Sequence, residues 1–414
     1  MTVRRWLLAC LIAAAPAAWS GTLVINANTA DPAPRAAWEA AVQRFEREHP
    51  DVRVQFNLYD HESYKKAIRN WLTGSPPDVV FWFAGARMRQ FAAPGLLEDV
   101  TDLYTPQVRA EMHRSALELV SIGDRQYGAA YTYYPVGFYV RRDLLDRAAI
   151  AAPIATWGQL VEACAKLRAQ GVEPFAIGSK DLWPTAAWFD YLDLRLNGLA
   201  FHVELIQGRV AYTDPRVREV FAHWRQLVDG GCFSRHHASS SWQESQALLY
   251  DGRAAMMLIG HYIVANFPVG VRDRIEFMAF PRMRAGIGRF EDAPTNTIHI
   301  PRAAKNKADA RRFLAFVLRA DVQEALNRAT LQIPVNVRAA AASDRFVVIG
   351  REHLATADGF AQYFDRDTSE DLANVAMKGF QEFMLHPDRL DDVLATIERA
   401  RLRIYGPLAA AGAR

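Results

Sequence analysis

The stretch 72-LTGSPPDVVFWFAGARMRQFAAPGLLEDV-100 sets a helix end, a breaker and an apolar strand in close succession. Gly74, Pro76 and Pro77 stop the helix, because proline has no amide hydrogen to donate and its ring clashes with the preceding turn. "DVVFWF" then reads as a buried strand. Upstream, "VRVQFNLY" alternates Val52, Val54, Phe56 and Leu58 toward one face, and a helix is predicted over 61–72. Before it, "RAAWEAAVQRFEREHP" puts Trp38, Val42 and Phe45 on one helical face and stops at Pro50, and "TLVIN" is a short apolar strand. Strand, helix, strand, helix, strand predicts an α/β fold with doubly wound parallel sheets.

Sheets of that kind take ligands just beyond the carboxyl ends of their strands. Those ends fall at Asn26–Asp31, Tyr59–His61 and Trp82–Arg87, which makes Asn28, Thr29, Asp31, Asp60, Trp82, Phe83 and Arg87 candidate ligand contacts. Neighbouring strand residues face opposite ways, so one of Trp82 and Phe83 is expected at the ligand and the other in the core.

The N-terminus is expected to be a leader. Arg4 and Arg5 precede an apolar run from Trp6 to Ile12, and Ala18 and Ser20 then bracket Trp19 before Gly21. Charged, apolar and small segments in that order are a secretory signal, and the run is too short to span a bilayer. A lipoprotein anchor at Cys10 or an uncleaved tail anchor is the competing reading, since Leu7, Leu8 and Ala9 make an imperfect, early lipobox. Without residues 1–20 the chain is still too long for one ordinary core and suits two lobes with a cleft. The formal charge of +3 includes Arg4 and Arg5, and acids and bases alternate elsewhere, so no nucleic acid or anionic surface is called for. Cys164 and Cys232 are read as two isolated buried thiols, with a disulfide as the alternative.

From Asp124 the sequence reads "DRQYGAAYTYYPVGFYVRRDLLDRAAIAAPIATWGQLVEACAKL". Together with "GSPPDVVFW" upstream and "FAIGSKDLWPTAAWFDYL", "ESQALLYDGRAAMMLIGHYIVANF", "IEFMAFP" and "NTIHIPRAAKNKADARRFLAFVLRADVQEALNRATLQIPVN" downstream, it resembles the family 1 extracellular solute-binding proteins. These are the maltose-binding-protein-like receptors of carbohydrate ABC importers. The resemblance covers nearly the whole chain after the leader and rests on the order of the pieces, none of which is specific alone. It implies a periplasmic receptor of two discontinuous lobes, 21–130 with 276–330 and 131–275 with 331–414, joined by crossing strands near "YTYYP", "RIEFMAFP" and "QIPVN". Such a receptor closes around a sugar and presents it to a membrane permease; it is expected to be monomeric, to have no cofactor and not to be an enzyme.

A sugar also suits the residue types. A pyranose offers an apolar face for flat rings and a rim of hydroxyls for amides, carboxylates and guanidinium groups. Trp82, Trp183, Trp188 and Trp242 sit near loop residues, whereas Trp38, Trp71, Trp157 and Trp224 fall on apolar helix faces or helix starts and are expected in the core. The resemblance carries ligand contact to Trp183 and to Gly260, His261 and Tyr262, with histidine a departure from the family's usual residue. Trp242 serves equally as a hydrophobic staple. Tyr133, Asn296 and Gln332 complete the candidate set. Asp31, Asp60, Asp181 and Glu244 can each accept two hydroxyls or cap a helix, and Arg87 can pair with one of them or meet an acidic sugar.

Catalytic motifs are not found: no Walker loop, no G-x-S-x-G, no H-E-x-x-H. "DRDTSED" at 365–371 lacks the glycine and terminal Glu of a calcium loop, and His236-His237 lies in a Ser-rich loop without partners at metal-ligand spacing. Two rivals stay open, a secreted glycoside hydrolase using two opposed carboxylates and a ferric-ion receptor using the adjacent Tyr133 and Tyr134.

Overall fold

The computed structural model describes residues 21–408, so the expected leader and Cys10 lie outside the described residues. Its first sheet is built on the opening stretch. Gly21–Ala27 pairs in parallel with Val52–Leu58 on one side and with Val79–Phe83 on the other. The helix Pro32–Glu48 covers it with Ala37, Trp38, Ala41, Val42 and Phe45, a stripe at helical spacing. The helix starts where it does because Pro32 stands in the first turn, a position that needs no amide donor.

Beyond Val79–Phe83 the sheet changes direction. Thr295–His299 runs antiparallel to it, and Ala129–Tyr133 runs antiparallel to Thr295–His299. The sheet is therefore parallel over its first three strands and mixed overall. A second sheet orders Ile275–Met278, Val136–Arg141, Ala254–Gly260 and Glu173–Phe175, antiparallel except for the last pair.

Each sheet has its own core. The first gathers Leu23, Trp38, Phe45, Phe81, Phe91 and Phe313; the second gathers Phe138, Trp188, Trp224, Met256, Phe280 and Phe380. The helix Trp183–Leu196 runs through the second core with every residue buried, Asp190, Asp193 and Arg195 included. Trp188, expected near a loop, is in this helix and 1% exposed. Three segments pass between the cores: Tyr134–Pro135 between adjoining strands, the chain from Phe280 to Thr295, and the stretch around Ile333, which bridges to Tyr133.

Residues 276–280, expected with the first lobe, pack with the second core, because Ile275–Met278 pairs with Phe138–Arg141 and Phe280 stacks on Phe138 and Tyr191. The crossing strand expected at "RIEFMAFP" is thus an edge strand of the second sheet. The thiol reading is also corrected: Cys164 and Cys232 are bonded, with Cα atoms 5.7 Å apart, and fasten the helix Trp157–Ala169 to the chain after Pro215–Asp229.

Candidate ligand-binding site

A cavity of about 130 Å³ opens between the two cores, at the carboxyl ends of the parallel strands. From the first core it takes Asn28, Thr29, Asp31, Trp82 and Phe83, with Asn296 from the antiparallel strand beside them. The second core contributes Trp183, Trp242 and Tyr262. Gln332 reaches it from the third crossing, its amide oxygen accepting from Thr132 Oγ1 at 2.9 Å.

The local sequence explains how these side chains arrive. Trp82 and Phe83 end their strand, and Gly85 follows at φ 71°, a left-handed turn that glycine allows without a Cβ clash. The two rings then stack, with centroids 4.7 Å apart and planes 29° apart, and both line the cavity. Both rings thus reach the lining, where alternation predicts one for ligand and one for core, although both residues are still paired in the sheet with Thr297 and Asn296. Trp183 starts its helix directly behind Leu182, which lies at φ 66°. Trp242 starts another, capped by Ser241 and Glu244 in a reciprocal capping box. Their rings meet edge to face at 5.9 Å, and Trp242 meets Tyr262 in the same way at 5.5 Å.

Thr29 Oγ1, Trp183 Nε1 and Trp242 Nε1 are buried in this lining with no hydrogen-bond partner among the described residues. Buried polar groups are nearly always paired, so these are atoms a polar ligand would satisfy. Asp31 stands before the helix Pro32–Glu48 without capping it, and burial raises its carboxyl above the usual range. Asp60 is the contrast: its side chain accepts from the Ser63 amide at 2.9 Å and caps its helix, away from the cavity. Glu244 also caps.

Other expected contacts lie elsewhere. Arg87 is buried beside Trp82, its guanidinium 5.4 Å from the ring and 4.0 Å from Glu370, and does not line the cavity. Tyr133 faces a rear cavity of about 930 Å³, lined mainly by Ala, Val, Ile and Leu side chains, on the far side of the crossing strands. Tyr134 faces the front, so adjacent residues on an extended chain point into different spaces and cannot share an ion. Among the described residues no group of three or more His, Cys, Asp or Glu side chains is placed to hold a metal ion.

His261 is fully buried, its Nδ1 2.9 Å from the Tyr139 hydroxyl, and burial lowers its pKa to about 4. It is a neutral core histidine. Gly260 acts through its missing side chain, because a Cβ there would lie 2.4 Å from the Tyr262 ring and 2.8 Å from the Tyr134 ring. Those two rings pack edge to face at 5.3 Å in the space it leaves.

Sequence reasoning missed much of the second wall. Tyr363, Asp365 and Arg366 enter from the C-terminal quarter, inside and just before the "DRDTSED" run. Arg366 is 8% exposed; its guanidinium lies 4.2 Å from the Phe83 ring centroid, and Nη1 donates to Asn296 Oδ1 at 3.1 Å. Burial opposes its charge, but the neighbouring Tyr134 and Asp365 hold it protonated. Burial likewise raises the Asp365 carboxyl, and Lys65, Arg366 and Arg87 outweigh that and keep it ionised. His61, 3.3 Å from Asn28 Nδ2, is pressed down to about 3, first by burial and then by Lys65 and Arg366. Trp38, expected in the core, is 2% exposed and packs on Phe81 and Tyr131, yet it also reaches the lining, as does Tyr131.

Comparison with known proteins adds a family. A family model described as bacterial extracellular solute-binding protein matches residues 28–324. An uncharacterized ABC transporter extracellular-binding protein of Pyrococcus horikoshii is 24% identical over 307 residues, 72% of this chain and 68% of that one. Among solved structures, the bacterial solute receptor AcbH, described as having an exclusive preference for b-D-galactopyranose, superposes with a TM-score of 0.86 at 27% identity. That match covers 92% of this chain and 97% of AcbH. A chitin oligosaccharide binding protein superposes with a TM-score of 0.82 at 20% identity over 92% of this chain and 99% of its own, a likeness of fold.

Proposed function

This chain belongs to the bacterial extracellular solute-binding proteins, and we propose that its front cavity captures a carbohydrate for delivery to an ABC importer. The observation that carries the reading is the coincidence, in one lining, of aromatic rings from both cores with unpartnered donors and planar amides. Rings meet the C–H face of a pyranose, while Asp31, Asn28, Asn296 and the indole N–H groups meet its hydroxyls. Nothing in the proposal requires bond-breaking: the family consists of receptors, and the lining supplies affinity. Sugar bridging the two walls favours the closed arrangement by its differential affinity for that state.

The proposal places the mature protein outside the cytoplasm after removal of the segment 1–20, acting as a monomer that docks on a membrane permease. No helix among the described residues is long and apolar enough to cross a membrane. A thermal-shift screen against neutral and acidic mono- and oligosaccharides tests the function, since a ligand at about 100 times its Kd adds roughly 2.7 kcal/mol of stability by mass action. The expected result is a rise in Tm for one sugar class. A flat panel, or a rise with amino acids or metal ions instead, removes the sugar.

A further inference from the structure

The segment Tyr363–Glu370 belongs to the second core by its anchors and to the first by its charges. On its own side, Phe364 is buried in the second core and its amide donates to Asp190 Oδ2 at 2.9 Å; Thr368 is held by the Ile206 carbonyl. Across the cleft its acids face cations of the first core. Lys65 Nζ lies 3.4 Å from Asp365, Arg69 Nη2 lies 2.8 Å from Glu370, Arg87 lies 4.0 Å from Glu370, and Arg89 Nη2 lies 3.3 Å from Asp367. Asp367 also accepts from the Ala86 amide at 3.1 Å, beside Gly85, where a Cβ would come within 2.9 Å of that carboxylate oxygen. Arg366 completes the crossing by packing on Phe83 and bonding Asn296.

We infer that this segment is an electrostatic strap, fastened to the second core and gripping the first, that sets how far the cleft closes before any ligand arrives. Its grip runs between the two cores, with Asp365 and Arg366 on the front cavity and Asp367 on the rear one, so a separation of the cores would part these pairs. Closing on an empty cavity lowers the share of binding energy a ligand spends on closure, so the strap tunes affinity through the population of the closed state. The pairs differ in weight. Arg69 is half exposed and its pair is worth little alone, whereas Arg87 is 5% exposed and loses its nearest carboxylate if Glu370 withdraws. The strap concerns closure and not ligand identity, so it stands or falls separately from the sugar reading.

Small-angle scattering of the sugar-free protein tests it. The radius of gyration of the wild type is expected to rise as salt goes from about 20 mM to about 500 mM, across which the Debye length falls from roughly 20 Å to roughly 4 Å. Glu370→Lys is expected to show the larger radius already at low salt, shifting the open-to-closed ratio at least about fivefold, and Arg69→Glu with Glu370→Lys to recover part of the compaction. Circular dichroism and Tm confirm that both variants are folded. A radius in Glu370→Lys equal to that of the wild type, or an expansion that the paired reversal leaves untouched, overturns the strap. No sugar is present in this measurement, so neither result bears on what the cavity holds.

Discussion

The two walls of the front cavity reach it by different routes. On the first core, Asn28, Asp31, Trp82 and Phe83 stand at the ends of parallel strands, so one rule of sheet topology delivers them all. On the second core, Trp183 and Trp242 stand at helix starts, and Tyr363, Asp365 and Arg366 sit on a segment held by contacts far away in sequence. The first wall is sheet edge and core at once. The second is a set of separately anchored pieces, which suits a face that must move as a body against the first.

The largest expected effect breaks the first wall. Trp82 is 2% exposed, stacks on Phe83, contacts Tyr64 and Phe91, and donates its indole N–H to the Arg87 carbonyl. Trp82→Ala is therefore expected to cost about 3–5 kcal/mol of stability in denaturant unfolding, as large core truncations do. A loss below about 1 kcal/mol would mean the wall is not part of the core. For the second core, Cys164→Ser with Cys232→Ser is expected to cost about 2–4 kcal/mol, and reductant should lower the wild-type Tm while leaving the double variant unchanged.

Asp292 sharpens the contrast through pH. It lies in the passage between the cores, fully buried, with neither carboxylate oxygen hydrogen-bonded; burial above all, and then the charge of Glu291, push it up to about 7 despite His202, Arg195 and Arg366. Asp190, on the helix packed against it, is raised by the same burial and by Asp292 itself. In the folded protein Asp292 keeps a proton that the unfolded chain has released above pH ~4. Stability is thus lost as pH rises from about 4 through about 7, and Asp292→Asn should regain about 1–3 kcal/mol at pH 8 but little at pH 4. The buried His261, held down to about 4, acts in the opposite sense, because stability is lost as pH falls below its ordinary value near 6.5. A wild type and Asp292→Asn of equal stability from pH 4 to 8 would contradict the buried-carboxyl reading. The smallest effect separates a cap from a contact: Asp60→Ala should cost about 1 kcal/mol of stability and leave ligand affinity unchanged.

The sequence made the first wall legible because local pattern places it. Gly74, Pro76 and Pro77 end a helix, "DVVFWF" follows as a strand, and its end has to meet the ends of its parallel neighbours. What local pattern could not supply was which end residues turn inward: Asp31 is left in the cavity and Asp60 is taken by its own helix, a difference fixed by the Ser63 amide and by burial. Trp38 is in the core as its helical spacing predicts and also reaches the lining, since periodicity marks a residue as buried without saying whether the burial ends at a cavity, whereas the ligand contact that the resemblance implies for His261 is replaced by a core position. The strap was out of reach for a different reason. "DRDTSED" invites comparison only with a calcium loop, which it does not match, and only the fold brings Lys65, Arg69 and Arg89 opposite it. The disulfide was undecidable from spacing, because pairing depends on the helix Trp157–Ala169 meeting the chain after Pro215–Asp229 in the second core.

Calorimetric titration of wild type and Trp183→Ala with the sugar that best raises the Tm tests the central claim most directly. Trp183 belongs to the second wall, 5.9 Å from both Trp242 and Tyr363, and its indole N–H has no partner among the described residues. A cleft that holds carbohydrate between its walls predicts one-site binding by the wild type and a loss of about 1–3 kcal/mol in the variant, with its unfolding still cooperative. Equal affinity in the two proteins would contradict it.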